Sequence, residues 1–519
     1  MKIDLQTYQD KVKACFLGKN IGGTLGAPFE CYRGVFDISY YTQDLKGKPA
    51  PNDDLDLQLV WLNAVERYSN RVNAQILGEY WLSYITPSWA EYGASKNNLR
   101  MGLCPPFSGY VNNLNRDSCG AFIRSELWAC LAPGHPEIAV HYAYEDASVD
   151  HSYEGIYAAV FTAALQSAAF VEPDRDSLIK IGLSYIPERS AVFRAVKLVE
   201  DCYRSGLDWR ETRKKLLDAF PSTFGLLSGT YEPEEGEDLS KARIGYDAPS
   251  NIGITMIGWF YGEGDFGKSL CLAAGCGEDA DCTAATLGAL LGIITGTQGI
   301  AQKWIEPIGD HIVTLSINLA DHDCDIPKTI GELAERIIRQ TPVFLGAELC
   351  DTVHSEHGFT IDAREGAELF NRSVRKGPFD TENFLDLLER QPFTVSAENT
   401  VFETTVALDG PPYLSAGDQK RITVKLKNQF LSQQFISLRW ILPEGFTVSP
   451  SVFTSLSLEQ YHGNIGRARA EYTITAPEVL TEPKYEVVLE LSANGRHTKS
   501  FVPLVFLNMP VPDSDQTEA

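Results

Sequence analysis

Two acidic pairs carry the chemistry that this sequence is equipped to do. Asp279 and Asp281 stand two apart in the turn Gly277-Glu278-Asp279-Ala280-Asp281-Cys282-Thr283, and Asp53-Asp54 stand far upstream, after Pro51-Asn52. Carboxylates held on rigid backbone make a cradle for a hard cation, which prefers oxygen ligands. The late pair runs into small residues, Ala284-Ala285-Thr286-Leu287-Gly288, with Gly288, Gly292 and Gly296 four apart. That spacing predicts a helical face bare enough for another backbone to approach closely. The early pair runs into Leu55, Leu57, Leu59, Val60, Leu62 and Val65, an amphipathic helical pattern. A helix there makes Asp54, or Asp53, a natural N-cap, so capping competes with metal binding as the reason for these residues. The working expectation is that the two pairs meet in space.

The segments that must position them read mostly as helices. Residues 8–16 form one, running into Gly18, Gly22, Gly23 and Gly26 and a turn at Pro28. A phosphate loop is excluded there, because no Lys-Ser/Thr follows the last glycine and no strand precedes the first. Close helix packing is the expectation, with Glu30 just past the packed end, where it can face a cleft. Residues 74–84 read as a helix and 97–115, with Pro105-Pro106, as a loop. Asp117-Ser118-Cys119-Gly120 opens a helix that continues to Leu131, and residues 137–144 form the next. His151 lies at the start of a long apolar helix over 155–170, with Asp150 beside it to fix its tautomer and charge. Two or three short helices fill 177–220, and residues 230–238 are an acidic surface loop. Helices over 251–260 and 266–274 lead to the late acidic turn. Asp321-His322-Asp323-Cys324-Asp325 has the composition of a metal cluster but reads as a polar linker before the capping box Thr329-x-x-Glu332. Asp351, His354 and His357 read as a loop.

From about residue 392 the period changes to two. Ile422, Val424 and Leu426 alternate with polar residues, as do Ile436, Leu438, Trp440 and Leu442. Asn494-Gly495 signals a two-residue hairpin, and Pro503 puts the last strand at an edge or a bulge. The expected architecture is an all-α domain over 1–390, an immunoglobulin-like β-sandwich over 391–511 and a disordered tail over 512–519. A length of 519 residues accommodates both domains. The net charge of −24 argues against a nucleic-acid partner. The N-terminus lacks a basic start with an apolar run, so no secretory signal is expected. The uncharged run 282–302 is long enough to span a membrane, yet its Gly, Ala and Thr content and its acidic flank predict a buried core helix. Eleven scattered cysteines without a C-x-x-C suit reduced thiols and a cytoplasmic location.

Together these blocks resemble the ADP-ribosylglycohydrolase family. Asn52-Asp53-Asp54 is similar to the family's Thr-Asp-Asp turn, and Gly277-Glu278-Asp279-Ala280-Asp281-Cys282 to its Gly-Asp-x-Asp-Thr turn. Residues 284–292 resemble the small-residue helix after that turn, and 22–30 the glycine-rich first helix with its following Glu. Cys119-Gly120-Ala121-Phe122-Ile123-Arg124 resembles the Asn-Gly-Ala-Met-Arg block, and His151 the family's Thr-His helix start. The blocks fall in family order over about residues 9–340. The resemblance implies an all-helical hydrolase that binds two Mg²⁺ or Mn²⁺ ions and cleaves a bond at the anomeric carbon of ADP-ribose or a related ribosyl group. It implies metal ligation by Asp53, Asp54, Asp279 and Asp281, with Asn52 and Thr283 as further ligands. Glu30 and Asp281 become the catalytic carboxylates, and Asp117, Ser118, Cys119, Gly120 and His151 the lining of the substrate pocket. The chain departs from the pattern at Asn52 and Cys282, where the family has Thr, at Gly23 for Asp and at Cys119 for Asn. A thiol is a poor ligand for a hard ion. The departures leave two alternatives, a hydrolase of another glycoside or nucleoside and a sugar-binding protein that has lost catalysis.

Overall fold

In the computed structural model the chain divides into two compact units, Met1–Ala94 with Asn113–Val374, and Ser95–Asn112 with Arg375–Ala519. The structure describes residues 1–30, 32–221, 245–320, 323–355, 358–377, 380–390, 392–459 and 465–510. The acidic stretch 230–238, Asp321, His322, His357 and the tail 512–519 lie outside the described residues.

The first unit is built around two helices, Leu5–Gly26 and Ala280–Thr295, buried over most of their length. They meet backbone to backbone. A Cβ on Gly18 would lie 2.0 Å from the Gly288 carbonyl oxygen, and one on Gly22 would lie 2.1 Å from that of Ala284. A Cβ on Gly292 would meet the Ala14 oxygen at 2.2 Å. Only glycine permits such an approach. Gly288 and Gly292 therefore form the bare face that their spacing predicts. Gly296 does not share it, because it caps the helix at φ +67° and Asp10 fills the space beside it. At the other end, a Cβ on Gly26 would lie 2.4 Å from the Asp281 Cα, so the first helix ends against the late acidic turn. The 3-10 turn Ala27–Phe29 then delivers Glu30 beside it.

The other helices wrap this pair. They include Asp53–Tyr68, Ala74–Tyr84, Pro136–Ala147, Glu154–Ala168, Ala248–Gly262 and Phe266–Gly275, close to the expected positions. Two expectations fail locally. The loop expected at 97–115 is interrupted by the end of helix Ala90–Arg100 and by the turn Phe107–Tyr110. The stretch from Asp117 is not one helix but a 3-10 turn, Cys119–Arg124, followed by helix Glu126–Leu131. The Cys119 N–H is spent on the Tyr246 carbonyl at 2.8 Å and Ser118 bridges Asp247, which holds the chain extended until Cys119. Among the described residues no helix is long and apolar enough to cross a membrane. The helix after the late acidic turn is instead a buried core helix.

The second unit holds a β-sandwich of antiparallel sheets. One sheet orders the strands Thr447–Ser449, Arg467–Thr475, Gln419–Asn428, Phe402–Leu408 and Thr394–Glu398; the other orders Phe453–Leu458, Gln434–Ile441, Lys484–Ala493 and Lys499–Leu507. Ile422, Val424, Leu426, Ile436, Leu438 and Trp440 are buried, as the alternation requires. Trp440 meets Tyr472 edge-on at 5.2 Å, joining the two sheets. Pro503 lies on an edge strand. The final hairpin is not a two-residue loop: Ala493 bonds the Thr498 carbonyl, leaving four residues between, with Gly495 at φ +75°.

Candidate active site

Asn52, not Asp53 or Asp54, caps the second long helix: its Oδ1 accepts from the Asp54 N–H at 2.7 Å. The carboxylates of Asp53 and Asp54 are thereby released from the capping role that competed with metal binding. Asp53 Oδ2 accepts from the Tyr92 hydroxyl at 2.9 Å. Asp54 Oδ1 accepts from the Cys282 thiol at 3.3 Å, and its Oδ2 lies 3.5 Å from Lys19 Nζ. Asn52 Nδ2 donates to Asp281 Oδ2 at 3.3 Å, so the two acidic pairs meet directly.

The late turn is held open by its backbone. Gly277 and Glu278 both take positive φ, +68° and +63°, and a Cβ on Gly277 would lie 2.3 Å from the Tyr32 carbonyl oxygen. Glu278 is pulled away from the pair by Arg33, whose Nη2 donates to Oε2 at 2.7 Å, in a short ladder of Tyr32–Arg33 with Gly277–Glu278. That ladder clamps the chain just after Glu30 to the turn. Asp279 sits at the N-cap of its helix but makes no capping bond. Oxygens of Glu30, Asp279 and Asp281 consequently lie within 4.8 Å of one another, as do ligand atoms of Asp54, Asp281 and Cys282, and of Cys119, Asp279 and Cys282.

These carboxylates are held against their own ionisation. Burial, then the charges of Asp281 and Glu30, pushes the Asp279 carboxyl well up; burial, then Glu30 and Asp54, does the same to Asp281. Burial drives Asp54 up to about 7 although Lys19 opposes it. Lys19 is itself buried, bonded to the Ile123 carbonyl and paired with Glu126 Oε1 at 3.2 Å. Burial works against its charge, but Glu126 and Asp54 outweigh that and raise its pKa. One lysine shared with Glu126 cannot balance all these acids. Asp279 Oδ1 and Asp281 Oδ1 are buried without a hydrogen-bond partner, and Asp54 Oδ2 has the Lys19 ammonium alone beside it. Buried carboxylates gathered this closely, with oxygens left unbonded on Asp279 and Asp281, fit a divalent cation, which supplies both ligand partners and charge.

Of the expected pocket residues, Cys119 touches this centre directly. Cys119 Sγ donates to Asp279 Oδ2 at 2.5 Å. Ser118 Oγ lies 3.1 Å from His151 Nε2, and His151 Nδ1 lies 2.9 Å from Asp150 Oδ1. Asp117 is pushed up to about 6 by burial, against the Arg116 charge, and its Oδ1 accepts from the Glu154 N–H at 3.0 Å. Gly120 leaves room for Glu91, whose Oε1 would stand 2.1 Å from a Cβ there. Thr283 is buried, its hydroxyl donating to the Ala280 carbonyl at 3.2 Å within its own helix. Arg124 fixes the whole turn: it donates to the Gly120 carbonyl at 2.7 Å, to Asp146 Oδ1 at 2.9 Å and to Asp150 Oδ1 at 2.6 Å. Burial opposes ionisation of Asp150, but Arg124 and His151 overcome it and hold that carboxyl low. Lys19, Glu91 and Tyr92 escaped the sequence reading, because none belongs to a recognisable spacing.

The family model for ADP-ribosylglycohydrolase matches residues 4–342. The chain belongs to the ADP-ribosylglycohydrolase family. It is thus a hydrolase of the glycosidase kind, from a family that generally depends on metal ions. Among curated proteins none matches the sequence. A solved structure described as an ADP-ribosylglycohydrolase-related protein complex is 19% identical and covers 65% of this chain and 100% of its own, at a TM-score of 0.39. The ASH/PapD-like domain of human CEP192 is 14% identical, covering 21% of this chain and 87% of its own, at a TM-score of 0.15. The GAE domain of GGA2p from Saccharomyces cerevisiae is 16% identical, covering 23% and 99%, at a TM-score of 0.14.

Proposed function

We propose that this ADP-ribosylglycohydrolase family member is a cytoplasmic, Mg²⁺- or Mn²⁺-dependent enzyme that hydrolyses the N- or O-glycosidic bond at the anomeric carbon of ADP-ribose or a related ribosyl substrate. The observation that carries this reading is the convergence of Glu30, Asp279 and Asp281 within 4.8 Å, with orphaned Oδ1 atoms on both aspartates. Asp53, Asp54, Asp279 and Asp281 would hold the cations, with Asn52 positioning the early pair and Asp281 together. Bound cations of this kind orient sugar hydroxyls and lower the pKa of a ligated water.

The chain's own residues account for the rest. Cleavage at an anomeric carbon passes through an oxocarbenium-like state, with positive charge growing on the sugar. The Glu30 and Asp281 carboxylates suit that charge, and Glu30 is the group to orient and deprotonate the attacking water. Ser118, Cys119, Gly120 and His151 form the wall beside them, and Asp117 anchors that wall to the helix after His151. The thiols of Cys119 and Cys282, in place of Asn and Thr, favour a second reading: a glycoside or nucleoside outside the ADP-ribose class.

The test is hydrolysis of ADP-ribosyl-arginine and of a panel of aryl glycosides by the full chain, with Mg²⁺, with Mn²⁺ and with chelator. Asp279→Ala and Asp54→Ala should abolish turnover while the circular dichroism spectrum is kept. Turnover of aryl glycosides alone would move the substrate to the second reading. Unchanged turnover in both variants would overturn the assignment of the site.

A further inference from the structure

Cys119 and Cys282 come from distant parts of the chain, yet their sulfur atoms and a carboxylate oxygen of Asp279 all lie within 4.8 Å of one another. All three residues are buried, and both thiols are free. Each sulfur stands on firm backbone. Cys119 opens the turn that Arg124 ties down and that the Tyr246 carbonyl anchors. Cys282 lies in the first turn of the helix packed against the glycine face. A second observation points to a ligand: Asp279 Oδ2 takes the Cys119 thiol, and the other oxygen of that buried carboxylate, Oδ1, has no hydrogen-bond partner.

The three overlapping groups differ in donor chemistry. Glu30, Asp279 and Asp281 offer oxygen alone, the set a hard cation prefers. Cys119, Asp279 and Cys282 offer two sulfurs and one oxygen. Thiolates select borderline and soft cations, and zinc is bound by Cys together with Asp. We propose that Cys119, Cys282 and Asp279 form a thiolate site for a zinc-class divalent cation, next to the oxygen-only set and sharing Asp279 with it. On binding, each thiol gives its proton to water, and two thiolates with one carboxylate face the dication, leaving a single net negative charge. Three protein ligands leave a position open to water or substrate, the pattern of a catalytic rather than a structural zinc site. This inference rests on the reading of the carboxylates as a cation site, and it changes which metal part of that site takes.

The experiment uses the metal-free, reduced full chain, titrated with Co²⁺ as an optical probe for the zinc class and separately with Mn²⁺ by calorimetry. A near-ultraviolet thiolate-to-cobalt charge-transfer band should grow to a single equivalent and be displaced by Zn²⁺. The double variant C119N/C282T should lose the band and weaken Zn²⁺ binding by at least about 100-fold, more than outer-shell losses cost, while Mn²⁺ binding survives. Where the double variant does not fold, Cys119→Ser and Cys282→Ser should each weaken the band at nearly native volume. Cobalt binding without a charge-transfer band, or with the same band in the variants, overturns the thiolate site and leaves the carboxylate reading standing. Absence of Mn²⁺ binding in every protein, with the cobalt band present, instead overturns the Mg²⁺/Mn²⁺ reading.

Discussion

Asn52 takes the capping role that would otherwise fall to Asp53 or Asp54. Its Oδ1 satisfies the Asp54 N–H, so the two following carboxylates keep their oxygens for something else. Tyr92 then becomes consequential, since its hydroxyl is a direct partner of Asp53 Oδ2. Partners of this kind orient a ligating carboxylate, and their loss costs about 10–100-fold in metal affinity. Tyr92→Phe should therefore weaken Mn²⁺ binding by about that factor, measured by calorimetry, with little change in melting temperature. Affinity equal to wild type would show that Asp53 needs no such partner or ligates nothing. The two acidic pairs were legible beforehand, because their blocks resemble the family's two metal-binding turns. Tyr92, Glu91 and Lys19 were not, since each acts through a contact made by folding. Glu278 shows the converse. It lies inside the acidic turn, and only the pairing with Arg33 reveals that it serves as a clamp.

The two central helices explain why the carboxylates are held so firmly. Gly18 and Gly22 on one helix meet Gly288 and Ala284 on the other at distances that leave no room for a Cβ. Spacing of four made the bare face at Gly288 and Gly292 legible, though not which helix packs on it, while the role of Gly296 was hidden because a capping glycine has the same sequence spacing as a packing one. Gly22→Ala would drive a methyl group against the Ala284 backbone, and the helices would have to part. Overpacking of this kind costs about 1–3 kcal/mol. Here it would also displace the Asp279 turn, which follows Gly26 along the same contact. The expected result is a lower melting temperature together with weaker Mn²⁺ binding. Gly331→Ala is the control: the nearest atom to its Cβ is Thr329 Oγ1 at 3.8 Å, so stability should hold or rise slightly. A Gly22→Ala protein as stable as wild type would mean that the close approach is not needed.

Across the molecule, acid outweighs base, with a net charge of −24, and part of that excess is buried at one place. The alternating strands of the C-terminal region announced a second unit, but local pattern carries no signal that Ser95–Asn112 groups with it. The buried acids make a prediction about stability that surface charge alone does not. Burial pushes both Asp54 and Asp56 from the ordinary 3.8 up to about 7. Without a cation, the unfolded chain ionises these groups at lower pH than the folded one does. Between about pH 4 and 7 the folded state thus binds more protons, and stability falls as pH rises. Surface repulsion acts in the same direction, so the pH slope by itself decides nothing. The cation separates the two causes. It binds only the folded site, and it must displace protons to do so at low pH. In chelator the melting temperature should drop between about pH 5 and pH 8, while Mn²⁺ should add little at the lower pH and recover the share due to Asp54 at the higher, since Asp56 accepts from the Leu315 and Ser316 N–H groups instead. Asp54→Asn removes one of the raised carboxylates and should shrink the Mn²⁺-dependent gap. Scanning calorimetry of both proteins, with and without Mn²⁺, checks this directly. Parallel curves with and without Mn²⁺ would mean that the buried acids share no cation site.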